Sequence, residues 1–172
     1  AAPTWALAHT GHDHSALTGL AEGFLHPLTG LDHLAAMLAV GVWSAIAVRP
    51  VWLAPLAFVL MLALGAVLGF AGVHVPAVEP MIAASLLVTG LLVVSRLRVP
   101  GLVAALGVGV FAVFHGVAHG YELAGSDSAW LTLAGMLTAT VLLHCVGLAA
   151  GWALRNRHVW LARAAGAGVA VD

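Results

Sequence analysis

Histidine dominates the reactive chemistry of this chain: ten of its 172 residues are His, more than its seven Asp and Glu together. Two segments concentrate them. Residues 26–33 read His-Pro-Leu-Thr-Gly-Leu-Asp-His, and here Pro27 and Gly30 interrupt helix formation. His26 is therefore expected to fold back over the first turn of the helix that carries Asp32 and His33. Met37 follows His33 by four residues, on the same helical face. Residues 114–122 read Phe-His-Gly-Val-Ala-His-Gly-Tyr-Glu. His115 and His119 stand at i and i+4 with Glu122 at i+7, so one face presents all three. Paired imidazoles at this interval grip first-row transition metals, and Gly116 and Gly120 beside them give a partner helix or an ion close access. The plain alternatives are structural: His26 and Asp32 as helix caps, His115 and His119 as core residues bonded to backbone or hydroxyl groups.

The remaining histidines are more scattered. Met136, Thr140 and His144 form a stripe at intervals of four beside Cys145, which makes His144 a candidate deeper ligand and leaves packing as the simpler role for Met136 and Thr140. His9, His12 and His14 crowd the N-terminal tail, where they would gather metal weakly or do nothing. His74 and Glu79 fall between two apolar stretches and are candidates to line an entrance, whereas His158 sits among arginines. Ser85 and Thr89 are candidate donors behind the ligands, with helix packing as their alternative.

These side chains need elements to hold them, and composition defines the elements. The chain is 62% hydrophobic and 8% charged, with a mean hydropathy of +1.07. Soluble domains devote about a quarter of their residues to charge, so an ordinary soluble globule is excluded. Six basic residues, all Arg, against seven acidic ones leave no electrostatic footprint for nucleic acid. The single cysteine, Cys145, makes neither an internal disulfide nor a Cys-x-x-Cys knuckle. No GxxxxGK[ST] loop is present, so no nucleotide site is expected.

A bilayer core about 30 Å thick needs roughly 20 apolar helical residues. Five stretches meet or approach this, at about 30–48, 51–72, 80–95, 101–121 and 129–152, divided by Arg49-Pro50, Pro76 with Pro80, Pro100-Gly101 and Gly125-Ser126-Asp127. The expected fold is all-α, a polytopic transmembrane helix bundle with five clear spans and a short sixth C-terminal helix at about 159–171. Residues 1–172 read as one membrane domain: an external His-containing tail at 1–17, a helical bundle at 18–155 and a short C-terminal segment at 158–172. Arg49, Arg96, Arg98, Arg155 and Arg157 all fall on one side, which the positive-inside rule assigns to the cytoplasm. The N-terminus is then outside, and Ala1-Ala2-Pro3 is small enough to follow a signal-peptidase cut. Gly65-xxx-Gly69 and Gly147-xxx-Gly151 are close-packing patterns, expected to serve packing within the bundle. If spans one, four and five are neighbours, the candidate ligands form a descending series from the tail to His144.

Imidazole and carboxylate donors favour borderline ions such as Ni2+, Co2+, Zn2+ or Cu2+, whereas Cu+ would call for several Cys or Met and Mg2+ or Ca2+ for mainly oxygen. Spacing does not separate nickel from cobalt or zinc. The motif at 26–33, continued as Leu-Ala-Ala-Met-Leu-Ala-Val-Gly-Val-Trp-Ser-Ala, and the motif at 114–122 together resemble the HupE/UreJ family of bacterial membrane proteins associated with hydrogenase and urease gene clusters. The resemblance covers about residues 18–155. It implies a secondary nickel transporter of the cytoplasmic (inner) membrane, in some members with cobalt uptake. It also implies functional roles for His26, Asp32, His33, His115 and His119, with Glu122 as an addition. The short C-terminus departs from the family's usual final hydrophobic span.

The sequence thus reads as a permease for a divalent transition-metal ion, with the lipid bilayer as its other partner, no prosthetic group and no enzymatic activity. Two rivals stand beside it: an intramembrane zinc-dependent hydrolase in which Glu122 is the general base, and a metal-binding sensor subunit without transport.

Overall fold

Nearly every turn of the chain falls at a Gly or Pro signal. The structure, a computed structural model, describes residues 12–169, with side chains described for residues 17–155 and 157. Within them lie six helices: α1 (His12–Thr29), α2 (Leu31–Ala47), α3 (Leu53–Phe70), α4 (Val78–Ser95), α5 (Gly101–Leu123) and α6 (Ala129–Val169). No strand occurs among the described residues, and the fold is an all-α polytopic bundle.

Four helices are long and apolar enough to cross a membrane alone: Leu53–Phe70, Val78–Ser95, Gly101–Leu123 and Ala129–Arg155. The expected first span differs. Its helix, α2, has 17 residues, about 26 Å at 1.5 Å per residue, short of the hydrocarbon thickness. A fifth crossing arises only when α2 is joined to Leu17–Thr29 across a 76° bend. Residues 12–17, read from sequence as tail, are the opening turns of α1. The C-terminal segment is likewise not a separate sixth helix: α6 continues to Val169, because Arg155-Asn156-Arg157 is polar but carries no Gly or Pro to stop a helix.

The bundle closes through small residues. On α3, Gly65 and Gly69 face Gly116 and Gly120 of α5 so closely that a Cβ at Gly69 would lie 2.7 Å from the Gly120 Cα, and one at Gly65 would collide with the Val113 carbonyl. Gly41 of α2 meets Gly147 of α6 similarly, a Cβ there standing 2.9 Å from the Gly147 Cα. Gly23 of α1 lies against the Thr132 backbone of α6. Both glycine patterns seen in the sequence thus pack helices within one bundle, as small residues do where lipid removes the hydrophobic drive.

Helix α2 packs on α6 and α4, α5 on α3 and α4, and α3 on α6. The condition that spans one, four and five be neighbours is only partly met. Helices α2 and α6 are neighbours, but α5 faces α2 across the middle of the bundle. Met37, Val40, Trp43, Phe58, Leu62 and Val108 fill that middle. The Trp43 indole donates to the Leu97 carbonyl at 3.0 Å, tying α2 to the α4–α5 connection. Helix α4 turns Leu87, Leu91 and Val94 outward and buries only Ser85 and Thr89. Such polar-inside patterning is what a lipid-facing helix requires, since polar groups in a membrane point into the bundle.

Candidate metal site

The break between α1 and α2 is local and legible. Pro27 sits inside the last turn of α1, and the helix survives it for two more residues. Thr29 Oγ1 then donates to the carbonyls of Leu25 (3.2 Å) and His26 (3.1 Å). Gly30 adopts extended backbone (φ −83°, ψ 108°) as the N-cap of α2, donating to the His26 carbonyl at 3.1 Å and accepting from Leu34 N at 2.9 Å. The expected fold-back follows, with the His26 ring centroid 5.4 Å from that of His33.

Across the bundle, α5 brings His119 to the same place. Its ring lies 4.9 Å from His26 and 4.8 Å from His33. One ligand atom from each of His26, His33 and His119 can be chosen so that all lie within 4.8 Å of one another. His119 is buried at 3% exposure and His33 is half-buried. Three of the six principal sequence candidates thus converge as imidazoles.

Two others stand behind them. Asp32 Oδ1 is 3.0 Å from His33 Nδ1, and Glu122 Oε2 is 3.3 Å from His119 Nδ1. Ionised carboxylates only accept, so they fix the tautomer: each Nδ1 carries its hydrogen and donates it outward. Both Nε2 atoms then point inward, and they are 2.9 Å apart. Two bare lone pairs repel at that distance, so a cation belongs between them, either a shared proton or a metal. Two metal–nitrogen bonds of about 2.1 Å at right angles place their nitrogens about 3.0 Å apart, close to the observed separation. Carboxylates behind metal-binding imidazoles are the usual supporting arrangement.

His115 lies one turn deeper and is not in the cluster. Its ring is 5.6 Å from His33, its Nε2 is 2.9 Å from Ser85 Oγ, and its Nδ1 is buried without a partner. Ser85 donates instead to the Ile82 carbonyl at 2.6 Å, so it is free to accept from His115. Ser85 thus stands behind His115 as an acceptor and not as the donor expected from sequence, and Thr89 bonds backbone carbonyls of its own helix. Deeper still, His144 is 2% exposed, and neither ring nitrogen has a partner. Phe58 lies between the two, its ring 6.0 Å from His115 and 5.1 Å from His144. Nothing in the sequence set Phe58 apart from other apolar residues of α3. Ser44 Oγ is also buried and unpartnered, and Met37 is buried in the core.

The entrance candidates do not join the cluster. His74 and Glu79 are exposed at the α3–α4 connection. That connection is nonetheless anchored beside the site, because the Tyr121 hydroxyl donates to the Val73 carbonyl at 2.5 Å and accepts from Val75 N at 2.9 Å. Sequence reasoning missed Tyr121, whose signal was its place inside the second motif. His9 lies outside the described residues, as do the side chains of His12, His14 and His158.

At the other end of the bundle, Arg49, Arg96, Arg98 and Arg155 line one cavity, so these four basic residues share a side. The fold is that of a multi-pass helical membrane protein, with a cluster of histidines where α1, α2 and α5 meet. A family model described as HupE / UreJ protein matches residues 1–172, and the chain is 45% identical over 150 residues to Protein HupE of Rhizobium leguminosarum bv. viciae, covering 86% of this chain and 76% of that one. The chain belongs to the HupE/UreJ family. No solved structure matches it.

Proposed function

We propose that the protein carries Ni2+, with Co2+ as an alternative cargo, into the cytoplasm across the bacterial inner membrane, binding it first at His26, His33 and His119. The observation that carries this reading is the convergence of three imidazoles from two sides of a helix break and from α5, with ligand atoms within 4.8 Å of one another. Nitrogen donors of this kind suit Ni2+, Co2+ and Zn2+, and the family resemblance favours nickel. Charge supports it as well: a divalent ion between Asp32 and Glu122 makes a neutral unit, which is far easier to hold at a membrane than a net charge.

Transfer inward then proceeds by ligand exchange. His115, 5.6 Å from the His33 ring, offers its unpartnered Nδ1, and His144 beyond Phe58 offers two unpartnered nitrogens. On this reading the cluster faces outward and the arginine end faces the cytoplasm, in accord with the positive-inside rule. The membrane potential supplies the drive, worth about 2.3 kcal/mol per charge per 100 mV, or about 4.6 for a divalent ion. A hydrolytic reading would use Glu122 as base, but its carboxylate is engaged with His119 Nδ1.

Proteoliposomes containing a Ni2+-sensitive dye test the proposal. Wild type should fill with Ni2+ under an inside-negative potential, and His33→Ala and His119→Ala should not, while retaining helical content. Wild-type flux in both variants would refute the site. Binding without flux would turn the reading to a sensor, and metal-dependent hydrolysis without flux to an enzyme.

A further inference from the structure

The arginine end of the bundle has its own chemistry, independent of the ion site. Arg49 follows α2, Arg96 and Arg98 lie in the α4–α5 connection and Arg155 lies on α6, yet the four line one cavity of about 440 Å³. None is paired with a carboxylate among the described residues: the two ion pairs found there both join His to acid at the opposite end. Arg49 is held in place, its Nη1 donating to the Val48 carbonyl at 2.7 Å and the Ala45 carbonyl at 3.3 Å. Four unneutralised guanidinium groups around one space repel one another and attract an anion.

A second cavity, of about 470 Å³, shares Arg49 and Arg155 with the first. Its other walls are apolar, formed by Ala45, Val51, Leu148, Ala149 and Trp152. A cationic cup thus adjoins, across Arg49 and Arg155, an apolar groove between α2 and α6 at the end of the membrane-spanning segments. Exposed Trp152 marks the depth at which indoles settle between headgroups and acyl chains.

We propose that this pair of cavities binds an anionic phospholipid, with its phosphate in the arginine cup and an acyl chain along the groove. Guanidinium forks match phosphate oxygens two at a time, and basic pockets between membrane helices are suited to lipid headgroups. Free inorganic phosphate would satisfy the cup but leave the groove unused, so the groove selects the lipid.

Native mass spectrometry and thermal unfolding of the full chain in detergent, titrated with phosphatidylglycerol, phosphatidylcholine of the same acyl chains, or inorganic phosphate, separate these cases. Phosphatidylglycerol should remain bound as a discrete adduct and raise the midpoint of unfolding, phosphatidylcholine should bind at least tenfold more weakly, and inorganic phosphate should not stabilise. Arg155→Gln and Arg98→Gln should each reduce phosphatidylglycerol binding about tenfold, with Ni2+ binding at the far end unchanged as the check on folding. Arg157→Gln, outside both cavities, should have no effect. Equal retention of the two lipids, stabilisation by inorganic phosphate alone, or equal losses in Arg157→Gln and Arg155→Gln would overturn the assignment.

Discussion

The 2.9 Å separation of His33 Nε2 and His119 Nε2 makes a quantitative prediction about protons. The two Nε2 atoms are in contact, and only a neutral imidazole nitrogen ligates, so a proton lying between them has to leave before a metal ion can take its place. Binding of one Ni2+ should therefore release one proton from the pair. The sign follows directly. Each proton released on binding lowers the binding constant tenfold per unit fall in pH, about 1.4 kcal/mol. Isothermal titration between pH 5 and 8, the range in which imidazoles change charge, measures this in buffers of different ionisation enthalpy. The slope of observed enthalpy against buffer enthalpy gives the proton count. A flat affinity across that range with no proton released would refute competition between proton and metal at the two Nε2 atoms and the outward-facing tautomers behind it.

Other perturbations probe separate parts of the molecule. Asp32→Asn and Glu122→Gln should each lower Ni2+ affinity about 10- to 100-fold, as loss of a group supporting a metal-bound imidazole does. Asp32→Asn should have the larger effect, because its 3.0 Å contact is shorter than the 3.3 Å contact of Glu122; titration calorimetry ranks them. His144→Leu removes a buried polar ring with no partner and should leave the midpoint of unfolding unchanged or raised while slowing Ni2+ flux. Flux equal to wild type would remove His144 from the path. Gly116→Leu drives a side chain into the Leu62 carbonyl and toward Ala66 N, 2.8 Å from the added Cβ. It should cost about 1–3 kcal/mol or more, whereas Gly107→Leu meets nothing within 4 Å and should be silent in thermal unfolding.

The site was more legible than the arrangement of helices that builds it. Pro27 and Gly30 announced the break that folds His26 toward His33, and the i, i+4, i+7 spacing placed His115, His119 and Glu122 on one face. Both signals are local and written in a few adjacent residues. The role of Glu122 behind His119 was not legible, because spacing gives a shared face and not which atom points at which. Helix α1 has no counterpart among the spans expected from sequence, because its opening residues are polar and its packing rests on Gly19 and Gly23 against Ser128 and Thr132 at the start of α6. That long-range contact leaves no periodic trace. The placing of α5 across from α2, and of Phe58 between His115 and His144, likewise depends on which helices pair, which glycine spacing hints at without naming the partner.

Glycine contacts hold both sides of the histidine cluster, α3 against α5 on one side and α1 and α2 against α6 on the other. Where backbone rests on backbone, neither helix has side-chain slack with which to slide or tilt, so His115 and His119 ride on a rigid rail. His26 and His33 flank the elbow at Gly30, and the helices on either side of it rest on α6 through Gly23 and Gly41. The three clustered imidazoles thus sit where two backbone-packed blocks meet, α3 with α5 and α1–α2 with α6, and an ion held there would pin one block to the other.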